Sequence, residues 1–397
     1  MSNWVTAKLG DVCEVVRGGS PRPIMDFVTD SPEGVNWLKI GDVSEHDKYF
    51  THSAERITKA GTAKSREVNK GDLILSNSMS FGRAFITLID GYIHDGWLRL
   101  RNNEDLLDRE YLYYFLSSEL AQNQFKAIAT GSVVNNLKSD TVKAVDIDLP
   151  PLSEQRAISS VLSALDDKIA NNTKINHHLE QMAQAIFKSW IVDFEPFDGE
   201  QPSEWQIGSL TDIAYYLNGL AMQRFRPSEG EVGLPVLKIK ELRQGLFDSS
   251  SEFCSPNIRS DYIVHDGDVI FSWSGSLLVD FWCGGDCGLN QHLFKVTSHK
   301  YDKWFYYAWT CHHLAQFIAL AADKATTMGH IKREALENAE VIIPDDDSYR
   351  HIGGLLAPLY EQVINNRVES RKLAQLRDSL LPKLMTGEIT VEGNSSE

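Results

Sequence analysis

The sequence has no apolar run of membrane-spanning length. Its longest apolar stretches, such as Leu314 to Ala322, fall well short of the roughly 20 residues a spanning helix needs, and no basic-then-apolar leader opens the chain. A soluble, unexported protein is expected. Cysteine is scarce as well: Cys13, Cys254, Cys283, Cys287 and Cys311 are odd in number and irregularly spaced, which argues against a disulfide framework and for a reducing, cytoplasmic setting. Positive charge is in deficit, with 39 Lys and Arg against 55 Asp and Glu and a net charge of −16. No region is basic as a whole. Simple electrostatic binding of nucleic acid is therefore disfavoured, because that affinity comes largely from Lys and Arg neutralising phosphates. The one local exception is Lys48 to Lys70, where six basic residues face only Glu55 and Glu67. It reads equally as a solvated face or a phosphate contact.

Motifs of covalent chemistry are also missing. There is no G-x-x-x-x-G-K, no G-x-G-x-x-G, no H-E-x-x-H, no Asn-Pro-Pro-aromatic motif, and no Glu followed two places later by Lys. A non-catalytic chain is expected. Cys283-x3-Cys287, with His292 and Cys311-His312-His313 further on, is the best metal candidate, but its cysteines have no counterparts elsewhere in the chain and part of it falls in an expected helix, so no metal is assigned.

What the chain does contain is an internal duplication. Trp4, Leu9 and Val12 recur as Trp205, Leu210 and Ile213, and Gly18 falls on Gly219. Leu38-Lys39-Ile40 recurs as Leu237-Lys238-Ile239, and Gly71-Asp72-Leu73-Ile74-Leu75-Ser76 as Gly267-Asp268-Val269-Ile270-Phe271-Ser272. Leu120-Ala121-Gln122 recurs as Leu314-Ala315-Gln316, and Leu137-Lys138 as Ile331-Lys332. Each copy reads as short strands, a helix near 108–125 or 302–320, a loop, a last strand, a proline and a long helix. The two blocks at Gly71 and Gly267 read as tight turns feeding strands rich in β-branched and aromatic residues.

Apolar positions in the long helices step by four and three. In the first, Ser153 is placed to cap, and Ile158, Leu162, Leu165, Ile169, Asn172, Asn176, Leu179, Ala183 and Ile186 form a seam. In the second, Ile352, Leu356, Leu359, Val363, Asn366, Ser370, Leu373, Arg377 and Leu380 repeat it. The matched polar notch at Asn172 and Asn176, against Asn366 and Ser370, suggests a registry device. A helix of roughly 58 Å over 153–191, at about 1.5 Å per residue, would bury such a stripe against its counterpart in an antiparallel coiled coil. The fold class is thus α+β: two repeated recognition modules of mixed strands and helices, separated by two long helices with an approximate two-fold relation. The expected divisions are 1–150 and 194–344 for the modules, 151–193 and 345–390 for the helices, with 194–204 part of a linker from Asp193, and 391–397 a tail. Two similar but unequal modules suit a two-part site on a DNA duplex.

The residues at the junctions resemble a known family. Pro150-Pro151-Leu152-Ser153-Glu154-Gln155-Arg156-Ala157-Ile158, continuing through Leu165-Asp166-Asp167-Lys168-Ile169, is similar to the central region of type I restriction-modification specificity subunits. Trp190-Ile191-Val192-Asp193-Phe194-Glu195-Pro196-Phe197 and Leu380-Leu381-Pro382-Lys383-Leu384-Met385-Thr386-Gly387-Glu388-Ile389 resemble two further hallmarks. The second copy departs by carrying Asp346-Asp347-Ser348-Tyr349-Arg350 where the first has Leu152-Ser153-Glu154-Gln155-Arg156. The resemblance implies a non-catalytic subunit. It would hold two modification subunits, which bind S-adenosylmethionine and methylate adenine, and recruit restriction subunits that use ATP and Mg; the chain itself would carry no cofactor. Each module would read half of a gapped, bipartite target in double-stranded DNA, and the helices would set the gap and dock the partners.

Candidate DNA contacts in the first copy are Ser20, Arg22, Lys39, Asn77, Ser78, Arg83, Asn135 and Lys138. In the second they are Arg224, Arg226, Lys238, Ser274, Thr326, Thr327, His330 and Lys332. Arg suits guanine O6 and N7, Asn suits adenine, and Lys or Ser suits phosphate. Lys39 with Lys238, and Lys138 with Lys332, stand out because both copies keep them. The aromatic stretches Tyr111 to Phe115 and Trp304 to Tyr307 read as core rather than base-stacking platforms. The competing class is a protein-bridging scaffold of duplicated modules that makes no DNA contact.

Changing Leu165 and Leu359 together to Asp is expected to detach the modification subunits or collapse the chain. Wild-type assembly of that variant, followed by size-exclusion chromatography with the partner subunits, would contradict the coiled-coil assignment.

Overall fold

The computed structural model describes residues 4–44, 47–77, 82–129, 137–323 and 331–391. The chain forms two compact units, 1–167 with 374–397 and 168–373, so the boundary cuts both long helices.

In the first unit, the strands described form a five-stranded sheet in the order Cys13–Arg17, Trp97–Asn102, Leu73–Ser76, Ala84–Thr87, Tyr49–Phe50, all antiparallel except the last pair. The strands of a four-stranded sheet, Arg56–Ile57, Val35–Leu38, Gly91–Ile93, Arg66–Val68, interleave with these along the chain, and Val35–Leu38 and Gly91–Ile93 pair parallel. Val5–Lys8 pairs with Asp146–Leu149 and so joins the start of the module to its end. The second unit repeats this plan: Tyr215–Asn218, Leu293–Thr297, Val269–Ser272, Leu278–Phe281; then Phe253–Cys254, Leu234–Leu237, Cys287–Leu289, Ile263–Val264; then Gln206–Ser209 with Glu340–Ile343. Even the single parallel pair inside the small sheet recurs.

The duplicated strand blocks sit at the centre. Every residue of Leu73–Ser76 and Val269–Ser272 is buried. Because side chains alternate across a strand, Leu73 and Leu75 enter one core and Ile74 another, just as Val269 and Phe271 enter one and Ile270 another. Gly71 and Gly267 take positive φ (98° and 84°) in the turns that launch these strands, a conformation that costs other residues. Tyr111, Leu112, Tyr114, Phe115, Trp304 and Phe305 are core residues, as expected.

Each expected single helix is two. Arg109–Ser117 stops at Ser118, whose backbone turns extended and whose Oγ donates to the Phe115 carbonyl while receiving the Ala121 amide; Glu119–Ala129 follows. In the second unit the break falls at His313, between Lys303–His312 and Leu314–Asp323, where a ring nitrogen meets the Glu340 carbonyl at 2.8 Å. The first long helix is Leu152–Phe187, followed by a wider turn over Lys188–Val192; the second is Asp346–Met385. Ser153 lies inside the first turn instead of capping it. The Glu154 and Gln155 amides donate to the Pro151 carbonyl, and the buried Gln155 side chain ties the turn down by donating to the carbonyls of Leu106 and Pro150 and accepting from the Asp108 amide. In both units the opening tryptophan grips the carboxylate at the helix start: Trp4 Nε1 donates to Glu154 and Trp205 Nε1 to Asp345.

No seam position is exposed. In the second unit Asn366 Nδ2 donates to Asn176 Oδ1 (2.8 Å), Asn176 Nδ2 to the Val363 carbonyl, and Asn172 Nδ2 to Glu369 and Ser370. Ascending numbers on one helix meet descending numbers on the other, so the helices run antiparallel. In the first unit Asp166 pairs with Arg377 at 2.7 Å, and Ile158 and Leu162 share a core with Leu384 and Met385. Side chains also fasten each module to the helices. Lys48, 8% exposed, reaches Glu110, Tyr114 and Ser163 in the first unit; Arg367 bridges Asp280 and Glu180 in the second. The segment 193–204 is not a free linker, because Phe194 and Phe197 pack edge-on against Trp205, with centroids 5.9 and 5.2 Å away.

Asn366→Ala is expected to destabilise by about 1–3 kcal/mol in urea titration, since it strands the buried Asn176 carbonyl. Replacing Asn176 and Asn366 together by Leu should recover most of that loss, because both partners of the buried Asn176–Asn366 hydrogen bond are removed at once.

Candidate nucleic-acid interface

Among the described candidates, Ser20, Arg22, Asn77 and Arg83 sit where loops leave or enter the large sheet of the first unit and Ser274 where a loop leaves that of the second, whereas Lys39 and Lys238 follow strands of the small sheets. In the first unit, the Gly18 amide donates to the Trp97 carbonyl, Gly19 to Ile93, Asn77 to Gly96 and Leu137 to Asn77. The second repeats the pattern with Gly219 to Leu293, Leu220 to Leu289 and Ile331 to Trp273. A Cβ on Gly18 would lie 2.1 Å from the His94 oxygen, and one on Gly219 2.2 Å from the Asn290 oxygen. That backbone approach admits only glycine, which explains why both copies keep it.

Three of the first copy's candidates converge on Asp95, an acidic residue outside the polar and basic candidates. Ser20 Oγ donates to Asp95 Oδ1 at 2.6 Å, the exposed Arg22 guanidinium lies 3.6 Å from Oδ2, and Asn77 Nδ2 donates to the Asp95 carbonyl at 2.8 Å. The Ser20 hydrogen bond, above all, holds the Asp95 carboxyl below the usual carboxylate range. Asn77 is buried, and its Oδ1 has no hydrogen-bond partner among the described residues. Arg83 donates to the Ser44 carbonyl and stacks over Phe85.

Of the lysines kept in both copies, Lys39 and Lys238 have a structural reason to be kept. Lys39 pairs with Glu55 while its amide donates to Asp42; Lys238 pairs with Glu252 while its amide donates to Glu241. Lys138 and Lys332 are exposed and directly precede the short helices Ser139–Lys143 and Arg333–Glu337. Arg224 and Arg226 are exposed, whereas Ser274 is buried with Oγ 3.1 Å from His292 Nδ1. Ser78, Asn135, Thr326, Thr327 and His330 lie outside the described residues.

The basic stretch Lys48 to Lys70 does not make one face. Lys48 is buried against Glu110, Lys64 sits over the Phe27 ring and Arg56 donates to the Pro32 carbonyl, while Lys59, Arg66 and Lys70 point to solvent. Among the described residues no three His, Cys, Asp or Glu side chains gather as a metal site. Burial pushes the Cys283 thiol up to about 11 and Cys311 up to about 12, so both stay protonated at neutral pH. Sequence reading also missed a cavity of about 720 Å³ in the second unit, walled by Tyr215, Tyr262, Trp273 and Phe294 with Lys300 and Arg333. Its aromatic lining comes from separate strands, a tight turn and a loop, so no local pattern marks it.

The sequence matches the type I restriction modification DNA specificity domain twice, over residues 1–181 and 202–375. It is 28% identical to the MjaIX type I restriction enzyme specificity subunit of Methanocaldococcus jannaschii, over 98% of this chain and 94% of that one. It is 20% identical to the HindI specificity subunit of Haemophilus influenzae, over 98% and 100% respectively. The fold resembles the crystal structure of the type I system S subunit from M. genitalium, with a TM-score of 0.58, 96% of each chain covered and 15% identity.

His94 gives this region a pH signature. Its Nε2 accepts from the Ile40 amide and its Nδ1 lies 2.6 Å from the Gly96 nitrogen; burial, chiefly, lowers its pKa. The unfolded imidazole protonates near 6.5 while the folded one resists, so this contribution to stability is full above about 6.5 and is lost as pH falls towards the lower folded value. His94→Asn, the residue found at the matching position Asn290, should flatten the stability difference between pH 7 and pH 5 in denaturant titrations. An undiminished slope would contradict the assignment.

Proposed function

The chain belongs to the type I restriction-modification DNA specificity family, and on that premise we propose how its two modules divide the work. Each reads one half of a bipartite, gapped target in double-stranded DNA, and the paired helices set the gap and dock modification and restriction subunits. The observation that carries this reading is the doubled specificity domain, falling on two units with matched sheets, matched glycine approaches and matched tryptophan-to-carboxylate ties. A protein-bridging scaffold would have no need of unequal loops on equal frames.

The chain is read as non-catalytic, with adenine methylation belonging to two modification subunits that bind S-adenosylmethionine, and ATP and Mg to the restriction subunits. Its acidity is compatible with DNA recognition if those partners supply part of the positive surface around the duplex. The isolated chain should therefore bind DNA feebly. No helix among the described residues is long and apolar enough to cross a membrane, and the cytoplasm is the proposed location.

Mapping adenine methylation in the source cell with the gene intact and deleted tests this. Deletion is expected to abolish methylation at one asymmetric, gapped motif. An unchanged map in a cell whose modification subunit is active would contradict the reading.

A further inference from the structure

We propose that Arg22 reads a guanine within the first module's half-site, with Asp95 as the positioning residue that aims it. The inference rests on the DNA-specificity reading above and deepens it to a particular base contact.

The geometry is that of a held acceptor and a free fork. Asp95 is fixed from several sides: Ser20 Oγ donates to Oδ1 at 2.6 Å and receives the Asp95 amide at 3.3 Å, while the Asp95 carbonyl accepts from Arg17 Nε at 3.1 Å and Asn77 Nδ2 at 2.8 Å. Arg22 is not fixed. Its side chain is 82% exposed, and it meets Asp95 Oδ2 only at 3.6 Å. The carboxylate is therefore built into the frame, while the guanidinium leans on it and keeps most of its donors for something outside the protein.

Near a duplex an exposed arginine has two rival acceptors, a phosphate and the major-groove edge of guanine. A fixed carboxylate beside it decides between them. The negative charge of Asp95 repels phosphate, whereas guanine N7 and O6 are neutral acceptors spaced for the arginine fork. Adenine puts an amino donor where guanine has O6, so the fork rejects it. The remaining lone pairs of Asp95 suit an amino donor such as cytosine N4.

The second module lacks this pair. Matched backbone hydrogen bonds, Gly18 to Trp97 and Gly219 to Leu293, bring Gln291 to the place of Asp95, and Gln291 Nε2 lies against its neighbour His292 at 3.3 Å. The guanine choice made by the Arg22–Asp95 pair then belongs to the first module's half of the target.

Variants of the full chain assembled with its modification subunits test this by methylation of randomised duplexes and by binding at graded salt. Arg22→Ala should lower discrimination at a single position of one half-site by on the order of ten- to a hundredfold, leaving the other half untouched. Arg22→Lys should keep affinity but not base choice, because a point charge replaces the fork. Asp95→Asn keeps an acceptor for Ser20 but removes the charge; the same position should relax and salt dependence should steepen as Arg22 turns to phosphate. Uniform weakening across all sequences in Arg22→Ala, with the salt slope reduced by about one, would mark a phosphate contact and overturn the proposal. An unchanged motif would overturn it too. If the wild-type assembly methylates no gapped motif, the specificity reading itself has failed, an outcome distinct from a motif that merely ignores Arg22.

Discussion

A 36-residue helix with one apolar stripe cannot stand alone in water. The stripe must be covered, and here it is covered by the other long helix running antiparallel, within each unit. Everything else hangs on that pairing. Each module is tied to a helix start through its closing strand, its proline and its opening tryptophan, so the duplicated sequence produces two modules held in the same manner. The buried pair Asn176 and Asn366 gives the seam a polar contact that forms only in register, so a slipped pairing would strand amides away from water.

The modules use the same frame for different chemistry. Central strands, glycine approaches and the loops that leave the sheet recur, while the residues those loops present do not: Asp95 against Gln291, Asn77 against Trp273, His94 against Asn290. The fastening to the helices differs too. The first unit uses Lys48, Glu110, Tyr114, Asp166 and Arg377, and the second sets Phe281, Tyr307 and Tyr360 together beside Arg367. A constant frame with variable loops is how one architecture serves many target sequences.

Much of the fold was legible in the sequence because duplication and heptads are periodic. Matched blocks such as Gly71 to Ser76 and Gly267 to Ser272 located both central strands, and the four-three steps located both seams. Features set by particular side-chain contacts were not legible. His313 breaks a helix by meeting the distant Glu340 carbonyl, Ser118 by bonding Phe115 and Ala121 in place of the helix ladder, and the run from Asp193 to Glu204 looked like linker because its Phe194 and Phe197 find Trp205 only in three dimensions. The interface was half legible. Ser20, Arg22 and Asn77 are legible by type as polar or basic side chains, whereas Asp95, the acid that organises them, is not, because a carboxylate by itself argues against a DNA contact. Conversely, Lys39 and Lys238 drew notice through repetition, and an ion pair with Glu55 or Glu252 is reason enough for it.

That each module reads its own half-site is best tested by exchange. Residues 4–149 would be replaced with the matching segment of the Methanocaldococcus jannaschii relative, and the methylated motif of the assembled hybrid would be determined. A motif that keeps one half and the gap while the other half becomes the relative's is the expected result. A motif changed in both halves, or in neither, from a hybrid that still assembles and methylates would contradict it.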